Sequence, residues 1–346
     1  MKFHIDIAPH TLHFKQPAGT SRGVYLTRKT WLVTLSSPQK PGVVGVGECA
    51  PLPNLSCDDL PNYEERLSQA CQRFCETGNI NHDELSPYPS IRFGLETALW
   101  QWQRNGSAAL SQTVFARGEM GIPINGLVWM GTFEEMAARI EEKLNLGFRC
   151  VKLKIGAIDF DRELQLLKDI RATFSSHQVE LRVDANGAFA PDEALSKLEK
   201  LAKLDLHSIE QPIAKGQWRE MANLCKRSPL PIALDEELIG VNTLDAKEEL
   251  LDTIAPQYLV LKPSLHGGIC GTKEWVALAK SRQMGSWITS ALESNVGLNA
   301  IAHLAAEVYG PLIDMPQGLG TGQLFTDNIA MPLQIKGDCL WFLPNS

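Results

Sequence analysis

From residue 122 to residue 316 the chain repeats one pattern, a short apolar segment followed by an amphipathic helical one, and few architectures accept it. Eight apolar segments can be counted: PINGLVW, CVKLKIG, ELRVDANG, HSIEQP, PIALDEE, QYLVLKPS, SWITSALES and LIDMP. Between them lie stretches such as TFEEMAARIEEKLNLG, DFDRELQLLKDIRATF and APDEALSKLEKLAKL, with the apolar spacing of a helix face. Thr132 with Glu135 forms a capping box, Asp159 can cap, Pro191 sits in a first turn, and Gly147 and Gly285 stand where helix C-caps belong. Strands joined through helices run parallel, and eight of them predict a closed α/β barrel. A doubly wound open sheet is disfavoured because no G-x-G-x-x-G follows an early strand.

The residues before the barrel have another texture. HIDIAPHTLHF, TWLVTLSS and VVGVGECAPLP read as strands, and Leu60–Thr77 and Ser90–Asn105 as helices, so an α+β unit comes first. The expected division is an α+β domain at 1–120, the barrel at 121–316, and a segment at 317–346 that packs back on the first domain.

Composition narrows the partners. Lys plus Arg number 33 against 40 Asp plus Glu, a formal charge of −7 with no basic block, which argues against nucleic acid and anionic membranes. The start MKFHIDIAPH lacks the apolar core of a signal peptide, and no run of about 20 apolar residues occurs. The eight cysteines are scattered without a C-x-x-C pair; Cys71 and Cys75, one helical turn apart, read as buried thiols because no second pair stands at metal spacing. A soluble enzyme of a reducing cytoplasm is expected.

Charges are rare inside parallel strands, yet here they are regular. Lys154, Asp184, Glu210, Asp235 and Lys262 each close a strand, at spacings of 30, 26, 25 and 27 residues. Each falls at the carboxyl end of its strand, where barrel enzymes hold their active sites. Alternation turns Val151, Leu153 and Ile155 toward the helices and Lys152 and Lys154 toward the axis; Ile209, Leu234 and Leu261 place Glu210, Asp235 and Lys262 inward. Three converging carboxylates repel and call for a cation, and an all-oxygen set suits Mg²⁺ or Mn²⁺. The alternative is a set of interior salt bridges with Lys152, Lys154 and Lys262. Two lysines beside a metal point to proton transfer, because burial and a nearby cation can lower a lysine pKa to about 7–8.

In order, K-L-K (152–154), D-A-N (184–186), E-Q-P (210–212), D-E (235–236) and K-P-S (262–264) resemble the enolase superfamily, in particular its muconate-lactonizing subgroup, over nearly the whole chain. Within it, GVGECAPLPNLS (45–56), TSRG (20–23) and SALES (290–294) are most similar to the o-succinylbenzoate synthase family of menaquinone biosynthesis. The resemblance implies a (β/α)7β TIM-like barrel with an N-terminal α+β capping domain. It also implies Mg²⁺-assisted dehydration of 2-succinyl-6-hydroxy-2,4-cyclohexadiene-1-carboxylate, a small carboxylate substrate, through a metal-stabilised enediolate. Asp184, Glu210 and Asp235 would hold the metal. Lys154 would remove the α-proton and return a proton to the leaving hydroxyl, Lys262 would stabilise the intermediate as a cation, and Lys152 would help depress the pKa of Lys154. Asn186 and Gln211, next to ligands, would support them from behind. Arg22, on a mobile loop at Ala18–Gly23, would meet a substrate carboxylate, and Ser290 would donate to the succinyl group. Glu293 would face the mouth and bond to Lys262 or its neighbours, and His266 is the one histidine expected near it. GLGTG (318–322) lacks the Lys and Ser/Thr of a phosphate loop and reads as a flexible turn.

Rivals remain. A dipeptide epimerase would carry D-x-D on the last strand, but Asp314-Met315-Pro316 lacks the second Asp. An N-acylamino acid racemase would use the same two lysines. A Schiff-base aldolase on Lys154 or Lys262 needs no trio of carboxylates, and a non-catalytic binding barrel would have tolerated loss of a lysine or a ligand.

Overall fold

The computed structural model describes residues 2–20, 23–128, 132–156 and 158–343. The first domain is a three-stranded antiparallel sheet of β1 (His4–Thr20), β2 (Gly23–Ser36) and β3 (Val44–Cys49), in that order, followed by α1 (Tyr63–Thr77) and α2 (Pro89–Gln103). Its core gathers Phe3, Trp31, Val33, Leu35, Leu67, Phe74, Ile91, Leu95 and Trp102 from the sheet and both helices. Cys71 is buried in this core and Cys75 packs against it. β3 and α2 meet backbone to backbone: a Cβ on Gly47 would stand 1.8 Å from the Gly94 carbonyl oxygen, and one on Gly94 2.2 Å from Cys49 Sγ. The glycines of GVGECAPLPNLS therefore serve close packing.

A two-residue strand β4 (Ile122–Pro123) leads into the barrel. β5 (Gly126–Val128), β6 (Cys150–Lys154), β7 (Glu180–Asp184), β8 (Ser208–Glu210), β9 (Ile232–Leu234), β10 (Tyr258–Leu261) and β11 (Gly285–Ile288) form a parallel sheet in chain order. The crossovers are α3 (Phe133–Asn145), α4 (Phe160–Thr173), α5 (Pro191–Ala202), α6 (Trp218–Arg227), α7 (Leu244–Ile254) and α8 (Gly268–Ser281), and α9 (Asn295–Tyr309) follows β11. The Thr132–Glu135 capping box and the Asp159 cap are both formed. Gly147 adopts φ +89°, a left-handed conformation, just past α3. Gly285 instead opens β11, where a Cβ would lie 2.4 Å from the Tyr258 ring, and α8 has already ended at Ser281.

The eighth strand differs from expectation. LIDMP forms no strand: its Leu312 is 69% exposed, and Ile313 and Met315 are only partly buried against the core. Gln317 and Gly318 close the ring instead, through parallel bridges to Ile124 and Thr289. Gln317 N donates to Pro123 O (2.8 Å), and Gly318 N to Ile288 O (2.9 Å). A Cβ on Gly318 would fall 2.1 Å from Thr289 Oγ1, so the first glycine of GLGTG is a packing residue of the barrel rather than part of a flexible turn.

After closure the chain passes β1, where Phe14 and Phe325 rings sit 4.6 Å apart and His13 N donates to Asp327 Oδ1 (2.8 Å). It then forms the hairpin β12 (Leu333–Lys336) and β13 (Cys339–Phe342), and β13 pairs with β4. That hairpin packs at the entry of the barrel, where the Phe342 ring also lies 6.0 Å from that of Phe115.

Because Gly47 faces a helix backbone that cannot retreat, Gly47→Ala overpacks the β3–α2 contact. A loss of about 1–3 kcal/mol is expected in urea unfolding. An unchanged midpoint would show that the two elements separate freely.

Candidate active site

Strand alternation delivers the charged set to one end of the barrel. Lys152 and Lys154 project inward from β6, Asp184 ends β7, Glu210 ends β8, and Asp235 and Lys262 directly follow β9 and β10. Beneath them Arg182 of β7 stacks on Trp287 of β11, its guanidinium carbon 4.4 Å from the ring, and donates to Pro316 O (2.9 Å). This pair helps fill the barrel below the charged layer.

The three carboxylates are buried, and one oxygen from each lies within 4.8 Å of the others. Lys152 Nζ stands 2.8 Å from Asp184 Oδ2 and 2.5 Å from Glu210 Oε2. Lys154 Nζ is 2.5 Å from the same Asp184 oxygen and donates to Asn186 Oδ1 (2.7 Å), while Lys262 pairs with Asp235. Interior salt bridges are thus present. They do not satisfy the set, because Glu210 Oε1 and Asp235 Oδ1 are buried without any hydrogen-bond partner. Burial pushes the Glu210 carboxyl well up, and the adjacent Asp184 charge adds to this. Burial also opposes ionisation of Asp184, but Lys152 and Lys154 outweigh it and hold that group below the usual carboxylate range. Lys152 resists its own desolvation through Asp184 and Glu210 and stays cationic. Leftover buried carboxylate oxygens, all hard donors, fit a divalent cation of the Mg²⁺ type.

A cavity of about 530 Å³ opens above this layer. Lys152, Lys154, Asn186, Lys262 and Ser290 line it from the barrel, and Phe14, Ala18, Tyr25, Leu52 and Leu55 from the first domain. Ala18–Thr20 and Gly23 are paired as strand, with Ala18 opposite Tyr25, so most of the expected loop is the tip of a hairpin. Arg22 lies outside the described residues. Asn186 bridges Lys154 to Glu236, donating to Glu236 Oε1 (2.8 Å). Gln211 does not reach the cavity; its Oε1 accepts from Asp235 N (3.3 Å) and Glu237 N (3.2 Å), which fixes the turn carrying Asp235. Ser290 Oγ donates to Glu293 Oε2 (2.6 Å), and Glu293 also accepts from Ser264, two residues past Lys262. His266 stands beside the mouth but does not line the cavity: it is fully buried, with Nδ1 accepting from Lys262 N (2.9 Å).

Sequence reasoning missed a fourth carboxylate. Glu236 lines the cavity, and its Oε2 is buried without a partner. The second letter of the D-E pair was its signal. Among the described residues one other trio, His82, Glu96 and Cys270, brings ligand atoms together. Its carboxylate is already engaged by Arg92 and by the Ile269 and Cys270 backbone N–H groups.

Known proteins share this layout. A family model described as "Enolase C-terminal domain-like" matches residues 135–338, and one described as "MenC, N-terminal domain" matches residues 20–102. The o-succinylbenzoate synthase of Desulfotalea psychrophila is 45% identical, over 95% of this chain and 96% of its own. The crystal structure of MenC from the same organism superposes with a TM-score of 0.86 at 40% identity, covering 99% of this chain and all of that one. The L-Ala-D/L-Glu epimerase of Bacillus subtilis is more distant, 27% identical over 77% of this chain and 74% of its own. With both halves matched and near-complete coverage, the chain belongs to the enolase superfamily, among its o-succinylbenzoate synthases.

Proposed function

We propose that this chain dehydrates 2-succinyl-6-hydroxy-2,4-cyclohexadiene-1-carboxylate to o-succinylbenzoate, with Mg²⁺ held by Asp184, Glu210 and Asp235. The observation that carries the reading is the pair of lysines on either side of the carboxylate trio. Lys154 and Lys262 stand four strands apart in a ring of eight, so they rise from opposite sides of the mouth. A cation bound between them supplies positive charge for the substrate carboxylate when its α-proton leaves.

Lys154 Nζ takes that proton as the general base. The ring carbon–oxygen bond then breaks, and the same Nζ returns a proton to the departing hydroxyl, so one water leaves from one face and the ring becomes aromatic. Asn186 orients Lys154 through the 2.7 Å bond to its Nζ. Lys262, kept cationic against its own burial by Asp235 and Glu236, stabilises the negative charge that builds on the ring. Ser290 lines the cavity wall on the succinyl side, but its one hydroxyl proton is already held by Glu293 (2.6 Å), so the expected donation to the succinyl group is not favoured; the leucines at 52 and 55 exclude water above it. Arg22 is assigned to a substrate carboxylate on the strength of the TSRG sequence alone. Manganese is an alternative ion, and the cytoplasm is the proposed location; no helix among the described residues is long and apolar enough to cross a membrane. Epimerisation is not favoured, since the closing residues Gln317 and Gly318 carry no carboxylate and Asp314 is exposed away from the cavity.

Lys154→Ala is expected to lower kcat by about 10²–10⁴-fold in an ultraviolet assay for the aromatic product, with circular dichroism and Mg²⁺ binding retained. A near-normal rate would place the base elsewhere. Chelation with EDTA should abolish turnover and added Mg²⁺ restore it. Activity that persists under chelation, or a substrate trapped on lysine by borohydride, would instead point to Schiff-base chemistry. Asp235→Asn and Glu210→Gln should each weaken Mg²⁺ binding in calorimetry, and wild-type affinity in both would remove them from the ligand set.

A further inference from the structure

Between the first domain and the barrel lies a buried charged cluster that the chemistry above does not use: Arg28, Glu48 and Glu293, each no more than 1% exposed. Arg28 of β2 donates through Nη2 to Ala50 O (2.6 Å) and through Nη1 to Pro51 O (2.5 Å). Those carbonyls begin the loop whose Leu52 and Leu55 wall the cavity. Glu48 of β3 enters the first turn of α9, accepting from Ser294 N (2.9 Å), Ser294 Oγ (2.5 Å) and Gly297 N (2.9 Å). A Cβ on Gly297 would lie 2.7 Å from Glu293 Cβ and 3.0 Å from Glu48 Oε2, so that turn admits both carboxylates only because it carries glycine.

Glu293 completes the connection. It holds Ser290 Oγ (2.6 Å) and Ala291 N (2.7 Å) on one side and Ser264 on the other. Arg28 feels the charges of both glutamates, which partly offset its burial. Three cavity walls thus converge on one cluster: the 50–55 loop, the loop after β10 that begins with Lys262, and the loop after β11 that carries Ser290. Apolar residues of similar volume would hold two domains together at least as well, because removing charges from water is costly. Directed hydrogen bonds add a fixed geometry.

We propose that Glu48 is a positioning residue for the reaction: acting through Ser294 and Glu293, it lets the first domain set where Lys262 and Ser290 stand around the cavity. The proposal rests on the assignment of Lys262 as the stabilising cation. Glu48→Gln keeps the shape but turns one acceptor into a donor that faces the N–H and O–H groups of α9.

In the full-length, Mg²⁺-loaded enzyme, Glu48→Gln should lower kcat about tenfold or more, while KM and Mg²⁺ affinity change less than about threefold. Ser264→Ala, which cuts the path at its other end, should also lower kcat with little change in KM. The double variant should lose less than the product of the two single losses. A folded Glu48→Gln enzyme with wild-type kcat, or strictly multiplicative losses, overturns the proposal. Should Glu48→Gln fail to fold, Ser264→Ala decides: a kcat loss at constant KM supports the path, and wild-type kcat refutes it. Lys262→Ala is measured alongside, and wild-type turnover in that variant would refute the role of Lys262 independently of Glu48.

Discussion

Opposite charges buried at the mouth of the barrel are the constraint on which this structure turns. Asp184, Glu210 and Asp235 cannot be desolvated alone, and neither can Lys152, Lys154 and Lys262. Each strand can present an inward charge at its end only because its neighbours do the same at the same level. Lys154 pairs across the ladder with Asp184, and Asp184 with Glu210. In-register parallel pairing therefore places the carboxylates side by side. A slip of one residue in β7 would turn Asp184 outward and put Val183 in its place. The layer beneath, Arg182 on Trp287, helps keep the charged floor from sinking into the barrel.

The first domain is fastened to this barrel by related physics. Two carboxylates cross from it to helix N-termini, Glu48 to α9 and Glu96 to α8, where N–H groups and the helix dipole favour negative charge. Both helices follow strands on the Lys262 side of the barrel. The attachment is consequently polar and directional on one side of the mouth, while Phe14, Tyr25, Leu52 and Leu55 meet the cavity with apolar surface. One domain provides a floor of charge and the other a lid of hydrocarbon, which suits a substrate with a carboxylated ring.

The sequence made the repeating architecture legible because the repeat is written in burial: apolar strands, amphipathic crossovers and a charge at each strand end. Lys154, Asp184, Glu210, Asp235 and Lys262 came together as alternation required. Where burial and letter type part company, reading failed. LIDMP has strand letters but an exposed Leu312, and the residues that close the barrel, Gln317 and Gly318, are polar and small. Sequence position suggests a cap at Gly285 and a turn at Gly318, whereas each is glycine because a neighbouring side chain occupies the space of a Cβ. Glu48 depends on contacts distant in sequence, with Ser294 and Gly297, which no local pattern encodes.

The charge at the mouth also governs what can bind there. Counting Glu236, four carboxylates face three ammonium groups around the cavity floor, an excess of one negative charge when all are ionised, a state that burial of Glu210 and Glu236 opposes. In that state the floor disfavours an anionic ligand, and the unpartnered oxygens of Glu210 and Asp235 point to what is missing. A dication reverses the sign of the floor and makes it attractive to a carboxylate. The acidic excess at the floor would be offset by such an ion, which would then receive a substrate carboxylate.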